Sequence, residues 1–118
     1  MVANTLVAFV ALLHILFLIL EMFLWTRPLG RRIFGFNREL ADQTAVLAAN
    51  QGLYNGFLAA GLVWGLLSGV AGRNILVFFL VCIVIAGIFG ALTAKRTILW
   101  VQALPGAVAL AAVLLAQH

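Results

Sequence analysis

Charged residues are scarce in this chain of 118 residues. They make up 8% of the sequence, whereas hydrophobic residues make up 66% and the mean hydropathy is +1.22. A soluble domain of ordinary composition carries about 25% charged residues. So few charges could not cover the surface of a protein dissolved in water. The composition therefore predicts an integral membrane protein, with the lipid bilayer as its principal partner.

Cysteine and acidic residues are also nearly absent. Cys82 stands alone, which excludes an internal disulfide and a zinc site built on cysteines. The formal net charge is +4, but the cations fall in loops and form no nucleic-acid-binding motif. No phosphate-binding glycine loop or metal-ligand motif occurs either. We therefore expect no nucleic-acid partner, no metal and no other cofactor.

Long apolar runs dominate what is present. Four of them are long enough to cross a bilayer, which takes roughly 20 residues of helix. They cover residues 2–25, 43–68, 74–94 and 97–117. The pattern predicts an all-α fold, a membrane-embedded four-helix transmembrane bundle that forms a single domain over residues 1–118. Short connections between the last three runs predict antiparallel neighbours, and Pro105 predicts a kink in the last one.

The cations are unevenly distributed among the connecting segments. Four cations follow the first run: Arg27, Arg31, Arg32 and Arg38. Two follow the third run, Lys95 and Arg96, and only Arg73 follows the second. Because positive charge is retained on the cytoplasmic side, the first and third connections should lie inside the cell. The protein is thus predicted to be a multi-pass protein of the bacterial inner membrane with both termini outside.

The first connection, residues 27–42, is both basic and partly apolar. We expect it to lie along the cytoplasmic membrane surface, with Arg27, Arg31, Arg32 and Arg38 near lipid headgroups, at about 1 kcal/mol of attraction per cation. The segment could act as a lipid-sensing element, but the favoured interpretation is that these cations anchor the topology, because the charge bias alone explains them. The segment should become helical from about Asn37, and Asp42 is the predicted N-cap of the second spanning helix.

Polar residues inside the apolar runs indicate where a site would lie. His14 and Glu21 are seven residues apart, close to two helical turns, so they share one helix face. Ionisable groups are costly in hydrocarbon and usually face a protein interior or a wet cavity. The candidate ligand-binding or proton-exchange residues are His14, Glu21, Asn50, Gln51, Tyr54, Asn55 and Gln102. We expect Glu21 to meet Asn50, Gln51 and Gln102, and His14 to meet Tyr54 or Asn55.

Several functions are compatible with such a cluster. The favoured interpretation is binding of a small amphipathic or lipophilic molecule, with proton exchange at Glu21. One alternative is a structural or accessory subunit, and another is a proton-coupled transporter. An enzyme is less favoured, because His14 and Glu21 lie about 10–11 Å apart along the helix and could cooperate only through water or substrate. Glu21 could instead reach Arg27 or Arg31 at the interface, and His14 could be a hydrogen-bonded core residue.

Small residues recur along three of the predicted helices. Such ridges let helix backbones approach closely in a membrane, either within one bundle or between copies in a homo-oligomer. The candidate packing residues are Ala48, Gly52, Gly56, Ala60, Ala86, Gly90 and Ala107. The ridge of Gly52 and Gly56 is predicted to lie opposite the polar face of the second helix.

Two segments carry a family resemblance. Residues 14–28 read HILFLILEMFLWTRP, and residues 46–57 read VLAANQGLYNGF. These segments resemble a family of small bacterial four-helix membrane proteins of unknown function. The resemblance covers nearly the whole chain, and NQGLYNG is its most specific part. It implies the same topology and the same polar residues, and it implies no activity.

Overall fold

The computed structural model describes residues 1–116, which contain helices and turns but no strand. The helices are α1 (Val2–Met22), α2 (Pro28–Phe34), α3 (Arg38–Leu67), α4 (Arg73–Thr93) and α5 (Leu104–Leu115). A 3₁₀ turn, Gly69–Gly72, precedes α4, and a π-helical turn, Leu99–Ala103, precedes α5. The all-α fold is therefore confirmed, and the four-helix transmembrane bundle stays a prediction.

Two helical segments are long and apolar enough to cross a membrane. They are α1 and the segment Gly69–Thr93, whereas the apolar segment Leu99–Leu115 is shorter. Helix α3 has 30 residues, about 45 Å at 1.5 Å per residue. It has the length but not the apolarity, because amide side chains interrupt its sequence at Asn50, Gln51 and Asn55. The predicted end of the fourth run, Gln117, lies outside the described residues.

Helix α3 begins directly after Asn37, as predicted, but its capping residue differs from the prediction. Asn37 is the N-cap, since the Leu40 backbone N–H donates to Asn37 Oδ1 at 2.8 Å. The prediction of Asp42 as the cap was wrong, because Asp42 lies inside the helix. Gly35 explains the earlier cap. Its left-handed backbone, with φ 72°, ends α2 and turns the chain, so that Asn37 is the first capping residue available.

The chain divides into two compact units. The first consists of Met1–Leu12 and the residues from Leu58 onward, and the second is Leu13–Phe57. The core of the first unit is formed by apolar side chains from α1, α3, α4 and α5: Val7, Val10, Ala11, Leu62, Leu76, Leu80, Ile83, Ala109 and Val113. The second unit contains most of the predicted polar site.

In the first unit, glycine lets α4 approach the chain around the π-helical turn. A Cβ atom on Gly87 would lie 2.8 Å from the backbone nitrogen of Ala103, closer than real Cβ atoms come to backbone. Among the predicted packing residues, Gly90 is partly buried near Ile98, whereas Ala86 is exposed. Within this chain, the packed face of α4 is therefore the one that carries Gly87, one residue further along the helix than Ala86 of the predicted ridge.

The proline in the last helix is accommodated by the π-helical turn. Pro105 has no N–H, and its ring crowds the preceding turn of an α-helix. Immediately before it the chain widens, and the Leu104 N–H donates to the Leu99 carbonyl, five residues back. The extra residue relieves the crowding that the sequence predicts as a kink.

Arg73 has a structural contact at the end of α5. Its Nη2 atom donates to the carbonyl oxygen of Leu114 at 3.3 Å. The last carbonyls of a helix lack partners and carry partial negative charge, so a cation is favourable there. Arg73, which lies outside the two predicted cytoplasmic loops, therefore stabilises the C-terminal end of α5.

Replacement of Gly87 tests the close approach to Ala103. We expect Gly87→Val to destabilise the protein by about 1–3 kcal/mol, because the new side chain overlaps backbone that cannot move freely. The measurement is unfolding in detergent followed by circular dichroism. The matched control is Ala86→Val on the adjacent exposed position, where the change should be within about 0.5 kcal/mol. Equal losses in the two variants would contradict the packing described here.

Candidate functional site

The buried positions of α1 and α3 recur at intervals of seven residues. His14 and Glu21 are buried on α1, and Ala41, Ala48 and Asn55 are buried on α3. Seven residues fall about 20° short of two full helical turns, which is the spacing of helices that pack side by side with a left-handed crossing. The side chains of His14, Glu21 and Asn55 therefore lie on the packing faces of the helices in the second unit.

Glycines on α3 bring the two helices close within this unit. A Cβ atom on Gly52 would lie 2.7 Å from Met22 Cγ, and one on Gly56 would lie 2.6 Å from Leu18 Cδ1. Asn55, three residues after Gly52, is buried on the same side. The predicted opposition of the Gly52–Gly56 ridge and the polar face was therefore wrong for Asn55, which shares the glycine face.

A buried hydrogen bond joins α1 and α3. The Asn55 Nδ2 atom donates to Glu21 Oε1, and the two side chains are only 8% and 6% exposed. The Gln51 side chain approaches the same carboxyl. A carboxyl removed from water without donors would cost several kcal/mol, so the two amides replace its water. Of the predicted partners of Glu21, the structure brings Gln51 to it and adds Asn55.

The remaining polar residues of α3 point outward from the packed face. Asn50 and Gln51 are exposed, and Tyr54 is 57% exposed. The Tyr54 ring packs edge-on against Phe57, with centroids 5.9 Å apart. Gln51 is therefore both at the surface and against the buried carboxyl. It connects Glu21 with the outer polar face formed by Asn50, Gln51 and Tyr54.

His14 and Gln102 lie in other surroundings. His14 is fully buried, and its ring packs edge-on against Phe17 at a centroid distance of 5.2 Å. Its two predicted partners are placed differently, since Asn55 donates to Glu21 and Tyr54 is exposed. Gln102 belongs to the first unit, where its Nε2 donates to the Ile83 carbonyl at 3.2 Å. That bond ties the π-helical turn to α4.

The second unit contains an aromatic cluster just after α1, which was not predicted from the sequence. Trp25 packs against Phe34 and Phe36, with ring centroids 4.6 and 5.2 Å away. Its Nε1 donates to Thr44 Oγ1 at 3.0 Å, and that hydroxyl donates to the Leu40 carbonyl at 2.8 Å. The contacts fix α2 and the start of α3 around one indole ring.

Gly30 allows α2 to fold back closely after α1. A Cβ atom at this position would lie 1.8 Å from the Leu24 carbonyl oxygen, so a larger residue would collide with backbone. The available sequence signal was a glycine two residues after Pro28, followed by Phe34 and Phe36. Among the arginines predicted to lie near lipid headgroups, Arg27, Arg32 and Arg38 are exposed, and Arg31 is partly buried.

Comparison with known proteins identifies the family. Residues 8–114 match the family described as "Protein of unknown function (DUF1304)", and the chain belongs to that family. It is 30% identical over 95 residues to the uncharacterized protein YpaA of Lactococcus lactis subsp. lactis (strain IL1403). That alignment covers 79% of this chain and 80% of the relative. No solved structure gives a significant match.

The bond between Asn55 and Glu21 can be tested by stability measurements. We expect Asn55→Ala to destabilise the protein by about 1–3 kcal/mol, because it leaves a buried acceptor without its donor. Glu21→Gln should cost less, since a glutamine oxygen still accepts from Asn55. Unfolding in detergent provides the measurement. Asn50→Ala removes the same side chain from an exposed position and should change stability by less than about 0.5 kcal/mol. The assignment fails if the two asparagines prove equally replaceable.

Proposed function

We propose that this protein is a multi-pass protein of the bacterial inner membrane that binds a small amphipathic or lipophilic molecule at Glu21. Its exposed surface supports insertion in lipid, since large apolar side chains are exposed even on the longest apolar helices: Phe9, Leu12, Phe78, Ile85, Phe89 and Leu92. Surfaces of this kind in a soluble monomer are rare and mark contact with membranes or other proteins. The second and fourth spanning helices would be α3 and the segment that ends in α5.

The observation that carries the binding proposal is the position of Gln51. The Glu21 carboxyl is buried and held by Asn55, yet Gln51 reaches it from the outer polar face. A carboxylate offers more acceptor sites than one amide occupies. A ligand on the outer face can therefore form hydrogen bonds with the Gln51 side chain. If it displaces that side chain, it can also form hydrogen bonds with the Glu21 carboxyl.

The surroundings of the outer polar face indicate the class of ligand. Leu47 and Phe57 are exposed on either side of Asn50, Gln51 and Tyr54. A molecule that covers this face would meet a few polar groups within an apolar surface, the usual composition of a small-molecule site. An amphipathic ligand with one hydrogen-bonding end satisfies both parts, and a protonatable end would allow proton exchange at Glu21.

A second candidate function is assembly with another protein chain. In a membrane, exposed amides on α3 would face lipid without water, and a partner helix could satisfy them. Ala60, Ala86 and Ala107 are also exposed, so these predicted packing residues remain available to another chain. The protein would then be an accessory subunit, and its outer polar face would be an interhelical contact.

Native mass spectrometry distinguishes the two functions. Protein purified in mild detergent should carry a discrete non-lipid mass, and Glu21→Gln should lose most of it, because the substitution removes the acidic group that binds the ligand. Glu39→Gln is the matched control, since it removes an exposed carboxyl from the same chain. The control should retain the extra mass.

A second outcome of the same measurement would contradict ligand binding. If wild-type protein and Glu21→Gln both appear as the same homo-oligomer with lipid adducts alone, ligand binding at Glu21 is ruled out. The assembly function then predicts that Asn50→Leu or Gln51→Leu dissociates the oligomer. Exposed Leu53→Ala on the same helix should leave it intact.

The proposed topology has its own test. Alkaline phosphatase, which is active only outside the cytoplasm, is fused to the C-terminus of the full chain in one strain and inserted after Lys95 in another. We expect activity from the first fusion and none from the second, because the basic loops should be retained inside the cell. The reverse pattern would overturn the orientation, and activity in neither would overturn a C-terminus outside the cell.

A further inference from the structure

A groove lies beside the C-terminal end of α4, in the first unit. It has a volume of about 380 Å³ and is lined by Ile88, Ala91, Leu92, Arg96, Leu99 and Trp100. Five of these six side chains are apolar or aromatic, and the sixth is a guanidinium. The volume lies within the range of small-molecule sites, about 300–1,000 Å³. We call it the Arg96 groove.

The groove is shaped by the π-helical turn. Leu99 and Trp100 belong to that turn, while Ile88 and Leu92 lie one helical turn apart on α4. Turns of this kind are rare and occur frequently at functional sites. Gly87 lets the turn lie directly against α4, since a Cβ atom there would meet the backbone of Ala103.

The charge around the groove is uncompensated. The acidic side chains of the whole sequence are Glu21, Glu39 and Asp42, and all three lie in the second unit. The first unit therefore has no acidic side chain to set against its cations. Arg73 donates to a helix carbonyl, but Lys95 and Arg96 are exposed. An acidic side chain that could pair with Arg96 must therefore come from outside this unit.

We propose that the Arg96 groove binds an anionic phospholipid. An acyl chain lies along Ile88, Leu92 and Leu99, and the phosphate accepts hydrogen bonds from the Arg96 guanidinium. Trp100 lies beside the glycerol region, because indole rings favour the boundary between hydrocarbon and headgroups. Arginine suits this role, since its planar fork can donate two parallel bonds to a phosphate.

The charge complementarity favours an anionic phospholipid over a protein helix. An apolar helix would cover the walls but would leave the guanidinium without an anionic partner, whereas a phospholipid supplies the acyl chain and the phosphate in one molecule. The inference rests on the membrane insertion proposed above. It is independent of ligand binding at Glu21, which lies in the other unit.

The test is a titration of delipidated full-length protein in mild detergent with phosphatidylglycerol, followed by native mass spectrometry. Phosphatidylcholine with the same acyl chains is the reference lipid. We expect tighter binding of phosphatidylglycerol, and Arg96→Gln should weaken it about tenfold, the effect of one lost charge-assisted hydrogen bond. Arg32→Gln removes an exposed arginine elsewhere and should leave the affinity unchanged.

The outcomes separate this site from general attraction to charge and from the polar site. Equal losses in Arg96→Gln and Arg32→Gln would overturn the proposal in favour of diffuse electrostatics, and so would equal binding of the two lipids. Circular dichroism establishes that both variants are folded. Glu21→Gln should bind phosphatidylglycerol normally even if it binds no other ligand, so failure of one proposal does not imply failure of the other.

Discussion

Burial of the Glu21 carboxyl is the constraint on which the arrangement of the second unit depends. A carboxyl that loses its water must find donors nearby, and Asn55 and Gln51 supply them from α3. Those amides can reach Glu21 only because Gly52 carries no side chain to separate the helices. The hydrogen bond and the close packing therefore require each other, and together they fix the register of α3 against α1.

The aromatic cluster around Trp25 extends the same unit at the end of α1. Gly30 lets the chain return beside the Leu24 carbonyl, and the indole then bonds to Thr44. The basic segment of residues 27–42 is thus an ordered helix, turn and helix start rather than a flexible loop. Its arginines are displayed by a structure that apolar contacts hold in place.

Much of the secondary structure was predictable, because long apolar runs permit little besides helices and because polar residues within them are few. The rotation of α3 was not predictable in the same way. Asn50 and Asn55 are separated by about 140° around a helix, so one of them must leave any single face. The sequence gives no way to choose between them until the position of Glu21 on the neighbouring helix is known. Similarly, Asn37 and Asp42 are both good capping residues, and the left-handed Gly35 decides between them.

The π-helical turn has a consequence for how the length of this chain can vary. A π-helical turn holds one residue more than an α-helical turn for nearly the same rotation, so deletion of one residue within Leu99–Ala103 would leave ordinary α-helix with the chain on both sides in nearly the same orientation. The Leu104 N–H would then donate four residues back instead of five, and the ring of Pro105 would crowd the preceding turn as it does in any α-helix. The extra residue and Pro105 therefore belong together, and a chain shortened in this segment is compatible only with a residue other than proline at position 105.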